Sequence, residues 1–236
     1  MKILFLDTES TGLPLWREPS SDPRQPHIVD LACELRDSDT MELLGELDCI
    51  INPGVPIPPE VSAIHGITDE IARGGRDPTD ALTDFFALVD QADKIVAHNV
   101  DFDTRMVRIQ AQRIWNREWV APVPTFCTMR ATTNLCRIPK ANGRGPRDYK
   151  WPKLTEALKF LFDEELPDAH RAKPDMIACR RIYFHLNPPV APIAEPKADP
   201  VAPPTAIYVQ FSDCGQHIRK WAREPFDGAI SYGAAT

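Results

Sequence analysis

No apolar run among these 236 residues approaches the length of a membrane span. The first apolar run turns acidic at Asp7, so a secretory leader is not expected. None of the six cysteines (Cys33, Cys49, Cys127, Cys136, Cys179 and Cys214) stands in a CxxC pair. In a chain of this size that scatter fits reduced, mostly buried thiols and a cytoplasmic location. Positive charge is scarce too: 27 basic residues face 34 acidic ones, for a net charge of −7. A protein that coats nucleic acid draws on many Lys and Arg contacts, so that class is disfavoured. An enzyme gripping only a strand end is not excluded, particularly where bound metal ions reverse the local charge.

What the chain does hold is an ordinary globular composition, 43% hydrophobic and 26% charged, with enough length for one sizeable core and an appendage. Residues 2–12, KILFLDTESTG, anchor the reading. Ile3, Leu4, Phe5 and Leu6 give way to turn chemistry from Asp7 onward, which predicts a short central strand buried on both faces. Alternation along a strand places Asp7 and Glu9 on one side at its carboxyl end. Neighbouring carboxylates perturb each other's pKa unless a positive charge sits between them, and oxygen ligands suit Mg2+ or Mn2+. Standing alone, the pair also reads as two solvated residues in a strand-to-turn transition.

Residues 14–26 form a polar, proline-rich loop longer than a tight hairpin needs. Residues 27–36 and 43–51 predict two strands joined by a turn at 37–40, completing an antiparallel meander with the first. Thr68 suits the N-cap of a short helix over 69–72. Pro78–Val89 has apolar residues at helical spacing and proline in the first turn. A strand at 94–98, a helix at 103–119, a strand at 123–128 and helices at 129–135, Leu154–Phe162 and 169–186 follow. A meander and then alternating strands and helices predict a layered α/β domain with a mixed sheet. Residues 187–205 hold seven prolines and predict a semi-rigid linker reaching on the order of 60 Å. Residues 206–236 regain apolar side chains. The expected division is therefore 1–186, 187–205 and 206–236.

Two further groups carry chemistry. Asp103 follows the fourth strand where an acid also serves as a helix cap; Asp101 competes for that place, and local physics does not choose between them. His170 and Asp175, five apart at the expected start of the last helix, sit about 140° out of register yet can both edge one site. Taken singly they also read as exposed helix residues. Together, LDTESTGL at 6–13, HNVDFD at 98–103 and the His170-x4-Asp175 spacing resemble the DEDDh (DnaQ-like) family of 3′→5′ exonucleases. The related tyrosine branch needs Tyr where Arg171 stands, and AIHGIT at 63–68 resembles a further family segment. Order and spacing agree over roughly residues 1–186.

That resemblance implies an RNase H-like fold, a mixed five-stranded sheet flanked by helices. It implies two divalent ions, Mg2+ or Mn2+, ~3.5–4 Å apart, held by Asp7, Glu9, Asp103 and Asp175. Asp7 would bridge them, and His170 would be the general base, since an imidazole titrates near working pH. Thr8, Thr11 and Leu13 would meet the terminal sugar and base, His65 would lie near the terminal nucleotide, Phe102 would pack beside the last base, and Asn99 is a further substrate-binding candidate. The implied reaction releases nucleoside 5′-monophosphates from a 3′ end, single-stranded DNA ahead of RNA. The rivals are an RNA-trimming enzyme and a catalytically idle subunit that holds a strand end or serves a polymerase. Residues 137–153 carry Arg137, Lys140, Arg144, Arg147, Lys150 and Lys153 and read either as a backbone-contacting loop or as a solvated one. The tail at 206–236 reads either as a docking module for a polymerase or other replication protein or as a peptide packing back on the domain. No membrane partner is expected.

Overall fold

The first strand runs further than its apolar residues alone predict. In a computed structural model of the protein, residues 1–143, 145, 148–167 and 169–189 are described, and β1 spans Lys2–Ser10. It continues past Leu6 because its antiparallel register with β2 (Ile28–Asp37) holds from Lys2↔Asp37 to Glu9↔Asp30 and shifts only between Glu9 and Ser10. Asp7 and Glu9 therefore belong to the strand, not to a turn after it. β3 (Leu43–Ile50) pairs antiparallel with β2, completing the meander. β4 (Lys94–Ala97) and β5 (Thr125–Cys127) join in parallel on the other side of β1, giving the order β3-β2-β1-β4-β5.

Seven helices among the described residues flank this sheet: α1 (Pro59–His65), α2 (Asp69–Arg73), α3 (Pro78–Val89), α4 (Val100–Trp115), α5 (Thr128–Cys136), α6 (Leu154–Phe162) and α7 (Ala172–Leu186). Strand alternation sorts the packing. Ile3 and Phe5 share one cluster with Met176, Cys179, Tyr183 and Phe184 of α7, the Phe5 and Tyr183 rings meeting edge-on at 5.5 Å. Leu4 and Leu6 face the opposite way, into a cluster with Leu82 and Phe85 of α3 and Met106 and Val107 of α4. β1 is thus the middle layer of an α/β/α arrangement, buried on both faces.

Three boundaries differ from expectation. α1 was not anticipated, although Pro59 in its first turn and Gly66 at its end (φ 74°) are ordinary start and stop signals. α4 begins at Val100 and ends at Trp115, not 103–119, because Asn99 and Asn116 both adopt left-handed backbone (φ 73° and 50°). Asp103 consequently lies inside the helix. α7 begins at Ala172, with His170 held outside it at φ 69°, so the helical offset computed between His170 and Asp175 does not apply. Of the linker expected at 187–205 only residues 187–189 are described, Asn187 capping α7; the rest of it, the tail expected at 206–236, and Arg144 and Arg147 of the basic loop lie outside the described residues. Among the described residues no helix is long and apolar enough to cross a membrane.

Candidate active site

The carboxyl ends of the parallel strands β1 and β4 lie side by side, and a crevice at such ends is where open α/β sheets place their sites. Phe5 is level with Val96, so the segment after β4, His98 to Asp103, emerges beside Asp7 and Glu9. Strand alternation then divides the work. Asp7 and Glu9 share the parity of Ile3 and Phe5 and turn toward α7; Thr8 shares that of Leu4 and Leu6 and turns toward α4. The Thr8 hydroxyl donates to Asp103 Oδ1 at 2.9 Å. Asp103 is only 2% exposed, whereas Asp101 is exposed and ion-paired with Arg130. Burial separates the two acids that local sequence left level.

On the other side, ligand atoms of Glu9, His170 and Asp175 lie within 4.8 Å of one another. The His170 backbone N–H donates to Asp175 Oδ2 at 3.2 Å, which fixes the left-handed turn just before α7. Asp175 Oδ1 is buried without a hydrogen-bond partner among the described residues. Such an orphaned carboxylate oxygen is costly unless something outside the chain satisfies it.

The electrostatics point the same way. Burial, then the charges of Asp103, Asp175 and Glu9, hold the Asp7 carboxyl well above the usual range. Burial and the same neighbours push Glu9 up to about 8. Asp103 is raised to about 7 by burial, against the lowering effect of the Thr8 hydrogen bonds, and Asp175 to about 6, again mainly by burial. Four carboxyls that cannot all ionise together fit a hard divalent cation, the charge that would let them do so.

The remaining sequence-derived residues fall around this centre. His65, at the end of α1, is buried, and its Nδ1 accepts from the Ile67 N–H at 3.1 Å across the Gly66 turn. The proton is thereby placed on Nε2, a buried donor with no hydrogen-bond partner among the described residues. Burial lowers the His65 pKa, opposed first by the nearby Ser10 backbone carbonyl and then by the Asp30 charge, while the Arg171 and His170 charges lower it further. Leu13 is 80% exposed, and Phe102 rests partly against the core. The Asn99 side chain makes no capping bond. Thr8 and Thr11 are already committed, Thr8 to Asp103 and the Thr11 hydroxyl to the His27 N–H at 2.9 Å. In the basic loop, Lys140 pairs with Asp148 and Lys150 with Glu156, each at 2.5 Å.

Two residues of the site were not anticipated. Asp30, directly opposite Glu9 on β2, accepts from Arg171 Nε at 2.9 Å and from the Ala172 N–H at 3.3 Å. An acid within the apolar run IVDLAC was the only signal, and its partner is 141 positions away.

A family profile described as RNase_T, Exonuclease, matches residues 4–183. The uncharacterized exonuclease CP81 of Escherichia phage 186 is 32% identical over 180 residues, covering 73% of this chain and 81% of its own. A PolC-type DNA polymerase III of Thermotoga petrophila is 30% identical over 170 residues, 70% of this chain but 11% of that protein. Among solved structures, E. coli Exonuclease I in complex with a dT13 oligonucleotide is similar in fold, with a TM-score of 0.58 at 20% identity. The likeness covers 80% of this chain and 41% of Exonuclease I. The chain thus spans most of the phage relative but only a small part of the polymerase and under half of Exonuclease I.

Proposed function

This chain belongs to the RNase_T exonuclease family, and we propose that it is a divalent-metal-dependent 3′→5′ exonuclease that removes nucleoside 5′-monophosphates from single-stranded DNA. The observation that carries this reading is the convergence of Asp7, Glu9, Asp103 and Asp175, each with a raised pKa, beside the exposed imidazole of His170. A surface that merely held a strand end would have no use for four mutually repelling carboxyls facing a polyanion. Asp7, Glu9, Asp103 and Asp175 would hold two divalent cations, Mg2+ being the natural choice and Mn2+ an acceptable one. Bound there, such ions supply positive charge for the phosphate oxygens and acidify the attacking water.

The chain's own groups do the rest. His170, outside the helix and exposed, takes the water's proton as general base. Asp175 holds the His170 backbone through its Oδ2, and Thr8 holds Asp103 through its hydroxyl. His65 Nε2 offers a donor to the terminal nucleotide, and Leu13 and Phe102 offer apolar surface to its base. Residues 187–205 are proposed as a tether and 206–236 as a docking segment for a replication partner.

The test uses 5′-labelled single-stranded DNA and RNA of one sequence with Mg2+. A descending ladder from the 3′ end, absent with EDTA and in Asp7→Ala, is expected, with DNA the faster substrate. RNA the faster would shift the substrate assignment. Both strands left intact by folded protein would contradict the reading and favour a strand-end binder.

A further inference from the structure

The carboxylate centre offers oxygen ligands, with one nitrogen donor at its edge. Ligand atoms of Glu9, His170 and Asp175 lie within 4.8 Å of one another, and among the described residues no other His, Cys, Asp and Glu side chains gather this way. The three are held very differently. Asp175 is 9% exposed and sits in the first turn of α7. Its Oδ2 accepts from the His170 backbone N–H at 3.2 Å, and its Oδ1 is buried without a partner among the described residues. The backbone of His170 is thus leashed to the carboxylate that its ring approaches. The ring itself is exposed and makes no hydrogen bond among the described residues. Glu9 is half-buried, on a side chain with three torsions. Asp30, opposite Glu9 on β2, is spent on Arg171 and the Ala172 N–H. Two carboxylates and one imidazole remain, with a fourth position open to water.

That donor set does not suit every divalent ion equally. Mg2+ demands near-octahedral oxygen and dehydrates reluctantly, so an imidazole adds little to its binding. Zn2+ takes nitrogen and carboxylate oxygen together, and three protein ligands with one open position is a common zinc arrangement. Two ionised carboxylates balance its charge, and the neutral ring adds none. Tetrahedral Zn2+, with bonds near 2.0–2.2 Å, sets neighbouring ligand atoms about 3.3 Å apart, so the present set needs to close by at most about 1.5 Å. The free ring of His170 and the long side chain of Glu9 can supply that closure by changing rotamer, with Asp175 left where it is.

We infer that Glu9, His170 and Asp175 form an inhibitory Zn2+ site, in which the imidazole is a ligand instead of a base. This rests on the exonuclease reading above and adds to it a means of regulation. A ring nitrogen whose lone pair is bound to Zn2+ cannot take the proton of the attacking water. The same ion occupies the two carboxylates that Mg2+ would use. Zn2+ therefore arrests the enzyme in the presence of Mg2+ and leaves the fold intact.

The test compares two ions on the full-length protein, wild type and His170→Asn, at one pH. Zn2+ affinity is read by competition with a chromogenic chelator, and Mn2+ affinity by electron paramagnetic resonance. Asparagine tolerates the left-handed backbone at this position, so the turn before α7 is kept. His170→Asn should weaken Zn2+ on the order of 100-fold, the upper end of what losing even a supporting partner costs. Mn2+ should stay within about three-fold of wild type, because oxygen ligands hold it. X-ray absorption at the zinc edge should show imidazole scattering in wild type and lose it in the variant. A slight molar excess of Zn2+ should abolish the 3′-end ladder that wild type gives with Mg2+. Equal Zn2+ affinity in the two proteins, equal losses for both ions, or a ladder that persists with Zn2+ bound overturns the inhibitory site and leaves the exonuclease reading intact. Wild-type protein that binds neither ion tightly and cuts no strand overturns that reading, and the zinc site with it.

Discussion

Arg171 Nε lies 2.9 Å from Asp30 Oδ2, and this ion pair fastens the segment from which His170 and Asp175 reach Glu9. Its two ends are unequal: the Asp30 side chain is 2% exposed and that of Arg171 44%. Removing the arginine strands a buried carboxylate with only the Ala172 N–H, whereas removing the acid releases a guanidinium into water. Arg171→Ala should therefore cost about 2–3 kcal/mol and Asp30→Asn about 1 kcal/mol in urea unfolding. Both should lower kcat more than they raise KM, because the turn carrying His170 loosens. Equal costs for the two, or activity untouched in both, would show that the pair does not position the site.

The raised carboxyls give the metal-free protein an unusual dependence on pH. Glu9, titrating at about 8, and Asp103, at about 7, bind protons more tightly in the folded chain than in the unfolded one. Between about pH 6.5 and 8 the folded state therefore carries more protons, and stability falls as pH rises. His27 and His98, both depressed to about 4 by burial, act in the opposite sense, but only below about pH 6.5. In EDTA the melting temperature should be lower at pH 8 than at pH 6.5, and Mg2+ should close the gap. A profile in EDTA that is flat or rises over that window contradicts the arrangement.

Function and stability should also part company at Asp103. Asp103→Asn is isosteric and still accepts from the Thr8 hydroxyl, but it removes one charge from the repelling group. Without metal the variant should be more stable at pH 8 by about 1 kcal/mol, as when a strained functional site is relieved. Its kcat should fall on the order of 10²–10³-fold. Thermal melts in EDTA and the rate with Mg2+ check the two halves; a destabilised variant, or an active one, breaks the account.

Much of this was legible because it is local or periodic. The alternation of residues 3–9 along one strand fixes which side chains face α7 and which face α4, and the meander and α3 announce themselves by apolar spacing and turn residues. What stayed hidden is long-range. Asp30 became part of the site only through its register opposite Glu9, and the start of α7 depends on the Asp30 clamp and the left-handed His170. The loop at 14–26 reads as slack in sequence because the arginines that brace it lie some 85 positions away on α4.

The central claim is that these carboxyls form a divalent-cation site, and Mn2+ binding followed by electron paramagnetic resonance at pH 7.5 tests it without reference to turnover. The account predicts about two tightly held Mn2+ per wild-type chain, displaced by Mg2+, and loss of tight binding in Asp7→Asn with the fold retained. Binding no tighter than that of scattered surface acids, or undiminished in Asp7→Asn, would contradict it.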